Sequence, residues 1–112
     1  MTELQVATME PPNNYKQPFF RLHLHWKKKR VVVKVSLFGT PTKNAVNLTI
    51  TRDVFKLRTT CEHRYFLEFK FPRQIFVLFY DTNVQYNHDT LTVSMPISEL
   101  YDQKKGKKVF IK

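Results

Sequence analysis

The feature that most constrains this chain is a strict alternation of apolar and polar residues over short runs. In "RYFLEFKFP", Tyr65, Leu67, Phe69 and Phe71 occupy every second position, and Pro72 ends the run. In "TLTVSMPI", Leu91, Val93 and Met95 alternate with threonine and serine, and Pro96 is expected to end that run too. Side chains of an extended strand point to opposite faces with period two, so each run buries one face and wets the other. The pattern recurs. "FFRLHLHW" places Phe20, Leu22, Leu24 and Trp26 inward and Arg21, His23 and His25 outward. "VVVKVSLF" does so with Val31, Val33, Val35 and Leu37, "AVNLTIT" with Val46, Leu48 and Ile50, and "VFKLRTT" with Phe55 and Leu57. "KKKR" (27–30) is assigned to a turn, and "NHD" to a tight turn between "NVQY" and "TLTVSM". The apolar run Ile75–Tyr80 fits either a buried strand or an extended crossing segment.

Composition agrees. Sixteen aromatics, eleven valines and eleven threonines stand against two alanines, a mix that suits half-buried strands and suits helices poorly. Seven or eight short strands at a spacing of about eight to twelve residues indicate an all-β antiparallel sandwich or barrel. Proline lacks a backbone N–H, so it belongs at strand ends or on edges. Residues 18–98 form the expected domain. Residues 1–17, with "PPNN" and no apolar periodicity, read as a flexible linker or tail. Residues 99–112 form a basic C-terminal segment with room for a last strand at Val109–Ile111.

Catalysis is not expected. Cys61 is the one cysteine, so neither an intramolecular disulfide nor a thiolate cluster can form. His23 and His25 share a strand face, but no third and fourth metal ligands accompany them. Cys61 and His63 could share a side, yet no oxyanion site goes with them. Two glycines leave no glycine-rich phosphate loop. No cofactor is implied. The N-terminus lacks the basic flank and apolar run of a signal peptide, and no stretch approaches the roughly 18 apolar residues of a membrane span. The expectation is a cytoplasmic or nuclear protein, with the Asn47 sequon unused.

The formal net charge is +10. Residues 1–15 carry Glu3 and Glu10 and no base; the rest carries 19 Lys and Arg against 7 acids. Such a body attracts polyanions or acidic peptides. "KKKR" and "KKGKK" suit a solvated surface, an acidic peptide or single-stranded RNA, but most aromatics fall on the core phase rather than on that of the lysines. Val32, Phe38 and Phe66 are apolar on the outward phase. They are either partly covered by the fold or form a docking strip, with Lys56, Arg58 and Lys70 as its basic rim. An extended peptide could add to an open sheet edge as a further strand.

The order "VVVKVSLFG", "NLTITRDVFKLRT", "RYFLEFKFPRQI", "VQYNHDTLTVSMPI" resembles the C-terminal CS domain of the Pih family over residues ~30–97. The carriers are Tyr65–Pro72, Val84–Tyr86 and Leu91–Pro96. The resemblance implies a seven-stranded antiparallel sandwich of the CS and small-heat-shock type. It also implies an adaptor that receives an extended tail of a TPR co-chaperone, and through it the heat-shock-ninety chaperone and RuvB-like ATPases. Implied clients are snoRNP and polymerase assemblies, in the cytoplasm or nucleolus; other branches serve dynein arms. The CS-type domain of the Shq family, an H/ACA RNP assembly factor, shares the "YFLEFKFP" type of pattern. The family's N-terminal Pih domain has no counterpart in these residues, which leads to the expectation of an excised or truncated relative. Val32, Phe38 and Phe66 are the expected anchors for the tail, and Lys56, Arg58 and Lys70 the groups that steer its acidic residues.

Overall fold

The computed structural model describes residues 2–40, 43–98, 101–102 and 107–108. Its elements are short strands and two 3-10 turns. They are β1 (Thr2–Leu4), β2 (Phe20–His25), β3 (Arg30–Ser36), β4 (Val46–Ile50), β5 (Val54–Thr59) and β6 (Phe66–Lys70). Then come β7 (Phe76–Val77), β8 (Asn83–Asn87), β9 (Thr90–Ser98), β10 (Tyr101–Asp102) and β11 (Lys107–Lys108). The first sheet runs β1-β2-β3-β9, with β8 and then β7 paired along the far side of β9. The second runs β4-β5-β6. Every strand pairing is antiparallel. The expected seven-stranded frame corresponds to β2–β6, β8 and β9; β1 and β7 extend the larger sheet. β10 and β11 pair with one another, and the expected strand at Val109–Ile111 lies outside the described residues.

The alternation does what period two requires. Leu22 and Leu24 of β2, Val31, Val33 and Val35 of β3, and Leu91, Val93 and Met95 of β9 are buried on one face. Facing them are Phe55 and Leu57 of β5 and Leu67 and Phe69 of β6. Val46, Leu48 and Ile50 pack against this core half-buried, as befits an edge strand. The rings of Phe55 and Phe69 stack 5.0 Å apart, and Phe20 stacks on Phe69 at 5.5 Å, joining the two sheets. Phe71 meets both Phe55 and Phe69 edge-on. Such ring contacts add about 0.5–1.5 kcal/mol each beyond the burial itself.

The turns carry their own chemistry. His88 and Asp89 both have positive φ, 51° and 65°, so β8 and β9 join through a two-residue turn of the type matched to strand twist. At the β4–β5 turn, the Thr51 hydroxyl accepts from the Asp53 and Val54 amides at 3.3 and 3.0 Å. Gly39 sits at φ 88°, and a Cβ there would lie 2.5 Å from the His63 ring, so no other residue fits without displacing the imidazole.

Three expectations are corrected. Trp26 is 59% exposed rather than inward. β2 ends at His25, and residues 26–29 form the turn, closed by the Lys29 amide donating to the Trp26 carbonyl at 3.2 Å, which takes Trp26 off the strand phase. Pro96 does not end β9, which runs on to Ser98. The Ile97 amide turns toward β3, donating to the Lys29 carbonyl at 2.9 Å, so the Pro96 nitrogen faces the other side. There it falls in the gap between the β8 and β7 ladders, where no N–H is needed.

The third correction concerns residues 1–17. Instead of a free linker, Thr2–Leu4 pair with β2. The chain then crosses to β6, where Met9 donates to the Glu68 carbonyl, Lys16 to the Arg64 carbonyl, and Phe66 to the Lys16 carbonyl, each at 2.9 Å. Thr8 bridges Phe69 and Lys16 bridges Tyr65. This strap satisfies outward backbone groups that an edge strand leaves open. Its polar composition hid it, because backbone pairing leaves no hydrophobic signature.

Phe55→Ala should cost about 3–5 kcal/mol, since it opens a cavity between the sheets. Phe38→Ala, at a side chain 70% exposed, should stay within about 0.5 kcal/mol. Urea midpoints at unchanged m-value check the contrast.

Candidate interaction edge

The strap lies on the β2 and β6 side of the sandwich, so the side away from it is that of β4 in one sheet and β8 in the other. The register shows how β4 meets solvent. The Thr51 amide donates to Val54 at 2.9 Å and the Thr60 amide to Ala45 at 2.8 Å. Antiparallel hydrogen-bonded pairs alternate, so Asn47 and Thr49 also turn their backbone groups to β5. Val46, Leu48 and Ile50 therefore present their N–H and C=O groups outward, unpaired by any strand among the described residues. Their side chains lean half-buried over the core. In the other sheet, Val84 of β8 lies 40% exposed although it pairs with buried Val93.

The end of the sandwich where β3 leaves the sheet is tied by two tyrosines. The Tyr65 hydroxyl donates to the Phe38 carbonyl at 2.8 Å, and the Tyr86 hydroxyl to the Thr40 carbonyl at 2.7 Å. Buried Thr59 donates to the His63 carbonyl at 2.6 Å and accepts from the Tyr65 amide at 2.8 Å. Burial, reinforced by the negative charge of Asp89, pushes the Tyr86 phenol above its ordinary value of about 10 and keeps it a donor. The thiol of Cys61 contacts the His63 carbonyl at 3.4 Å, while the His63 ring lies against Gly39. Among the described residues no group of three or more His, Cys, Asp or Glu is placed to hold a metal ion.

The six residues singled out from sequence divide into two sets. Lys56, Arg58 and Lys70 do share a surface, the outer face of the smaller sheet. Lys56 stands opposite Glu68, and Arg58 opposite Phe66. Val32, Phe38 and Phe66 form no common strip, which corrects that expectation. Val32 is half-buried on the outer face of the larger sheet, opposite His23 and Ser94. Phe38 is in the loop after β3. Phe66, only 8% exposed, lies on the outer face of the smaller sheet. It is covered edge-on by Tyr15 of the strap with ring centroids 6.4 Å apart. The period-two reading put Phe66 on the correct face, but could not see a cover supplied from fifty residues away. The open β4 edge was missed for a related reason: Val46, Leu48 and Ile50 were legible as a strand, but edge position is set by sheet order.

No protein-family model matches the chain, and no curated protein matches it. Among solved structures it is similar to heat shock protein 16.0 from Schizosaccharomyces pombe. The TM-score is 0.63 at 17% identity, over 89% of this chain and 78% of that one. The likeness is one of fold: the chain is an antiparallel β-sandwich of the small-heat-shock and CS type.

Two outcomes follow. Tyr15→Ala should uncover Phe66, costing about 1 kcal/mol, and should speed hydrogen exchange at the Phe66 amide. Loss of cooperative unfolding instead would make the strap part of the core. Tyr86→Phe should remove a stabilising component whose pH dependence has a definite sign. Because the folded phenol's pKa is raised, its contribution is complete below about pH 10 and is lost as pH rises through the folded value. The stability gap between wild type and Tyr86→Phe should thus narrow at alkaline pH, as read by urea melts.

Proposed function

We propose that this domain is a protein-interaction module that takes an extended partner segment at the β4 edge as an added strand. The observation that carries it is the outward row of Val46, Leu48 and Ile50 backbone groups, unpaired among the described residues. A strand added there gains main-chain hydrogen bonds, and its inward side chains would lie beside half-buried Leu48 and Ile50. Its outward side chains lie about two strand spacings, roughly 10 Å, from Lys56 and Arg58. Arg58 is in register with Asn47 and Lys56 with Thr49, so acidic positions on the partner would be favoured. The Pih-like sequence pattern supports a more particular reading: the segment is the tail of a TPR co-chaperone, and the module links it to the heat-shock-ninety chaperone and RuvB-like ATPases in the cytoplasm or nucleus. In this reading Phe66 is no anchor, and the domain is not an enzyme.

The test is an NMR titration of the labelled domain with the C-terminal tail peptide of the TPR co-chaperone from the same source. Amide shifts are expected at Val46, Leu48 and Ile50. Val46→Pro removes an outward N–H at the first residue of an edge strand, a position that tolerates proline. It should weaken binding by up to about tenfold, the worth of one hydrogen bond, while unfolding stays cooperative at a melting temperature lowered by the lost Val46 packing. A saturating peptide should also raise the melting temperature by mass action. Shifts confined to the β6 edge would move the site to the strap; silence at saturation would dismiss this partner.

A further inference from the structure

We infer that the end of the sandwich at the β2–β3 turn binds single-stranded nucleic acid. Trp26, the chain's one tryptophan, stands 59% exposed at this tip. Lys27 and Lys28 follow it, both exposed. Arg30 is held on the adjoining face, its guanidinium donating to the Ser94 hydroxyl at 2.7 Å and the Ser94 carbonyl at 3.1 Å.

The register carries the surface across the end of the sheet. Arg30 pairs with Pro96, and the Leu78 amide donates to the Pro96 carbonyl at 2.9 Å. That contact brings Phe79 and Tyr80 to the same end, with rings 5.7 Å apart and edge-on and Tyr80 75% exposed. Phe76, paired with Ser98, carries the Arg52 guanidinium 4.8 Å from its ring centroid. From the β2 tip to β7 is three strand spacings, about 15 Å. Asp53 on the adjoining turn lies 3.7 Å from Arg52, and that pair is exposed.

The strip thus offers exposed rings with Lys27, Lys28, Arg30 and Arg52 along it and Asp53 and Asp81 as its acids; rings and cations are the two groups that a single strand meets with its bases and phosphates. An acidic peptide would satisfy the cations and leave the rings unstacked. A lipid surface would attract the same lysines, but it holds a protein through contiguous apolar area, and the rings here are spread over about 15 Å. The strip lies at the end of the sandwich rather than along the β4 edge, so it stands whether or not a peptide binds there.

The experiment uses the whole chain and its native fluorophore. Oligouridylate of twelve nucleotides, added at stepwise salt concentrations, should quench Trp26 emission, with log K falling linearly in log salt. Lys27→Glu/Lys28→Glu should lower affinity at least tenfold and flatten that slope by about 1.4, the share of two phosphate contacts. Trp26→Ala, followed by anisotropy of a labelled oligouridylate, should weaken binding roughly tenfold through lost stacking. Absence of quenching at low salt overturns the inference. A blue shift with phosphatidylserine vesicles and none of this response to RNA would assign the tip to a membrane. Equal binding of polyglutamate, unaffected by Trp26→Ala, would reduce the surface to unspecific charge.

Discussion

The structure depends on one contact: the apolar face of β3 and β9 pressed on that of β5 and β6. Val31, Val33, Val35, Leu91, Val93 and Met95 have no solvent to return to once Phe55, Leu57, Leu67 and Phe69 cover them. A slip of one residue in any of these strands would turn its buried side chains to water and its polar ones inward. Register is therefore fixed by the core before the turns contribute. The positive-φ residues His88 and Asp89 are tolerated because the ladders on either side already demand a two-residue connection.

A sandwich has open edges, and here its two sides are treated differently. On the β2 and β6 side the chain's own N-terminal segment lies across both sheets, pairing with one and capping the other. On the β4 and β8 side, the described residues leave backbone groups outward along half-buried apolar side chains. The same physics governs both: an unpaired edge recruits a strand. On the first side that strand is intramolecular; on the second the module is proposed to take it from a partner.

What the sequence made legible was periodicity. Each inward set from Leu22 to Met95 followed from alternation, and with it the all-β sandwich. What it hid depends on sheet order and on backbone bonds. The strap could not be read from residues 1–17, because an amide pairing with Glu68 or Arg64 needs no particular side chain. Phe66 was placed on the right face and its partial cover was one of two readings, but the cover itself, Tyr15, is too remote in sequence to be named. Trp26 continued an alternation that the turn interrupts one residue earlier. The site residues Lys56, Arg58 and Lys70 share a face because they are local to one hairpin; Val32, Phe38 and Phe66 belong to three different surfaces.

The proline within β9 has a further consequence. Were β7 and β8 to peel away, the side of β9 they leave would be a template nine residues long, apolar at every second position and prone to recruit like strands from other molecules. Pro96 interrupts it. Its nitrogen offers no hydrogen on that side, so no uninterrupted ladder can form along β9, and a stacking chain would meet a break next to Met95 and Ile97. The residue that splits the native pairing between two short strands is thus also a safeguard against aggregation of a partly opened domain.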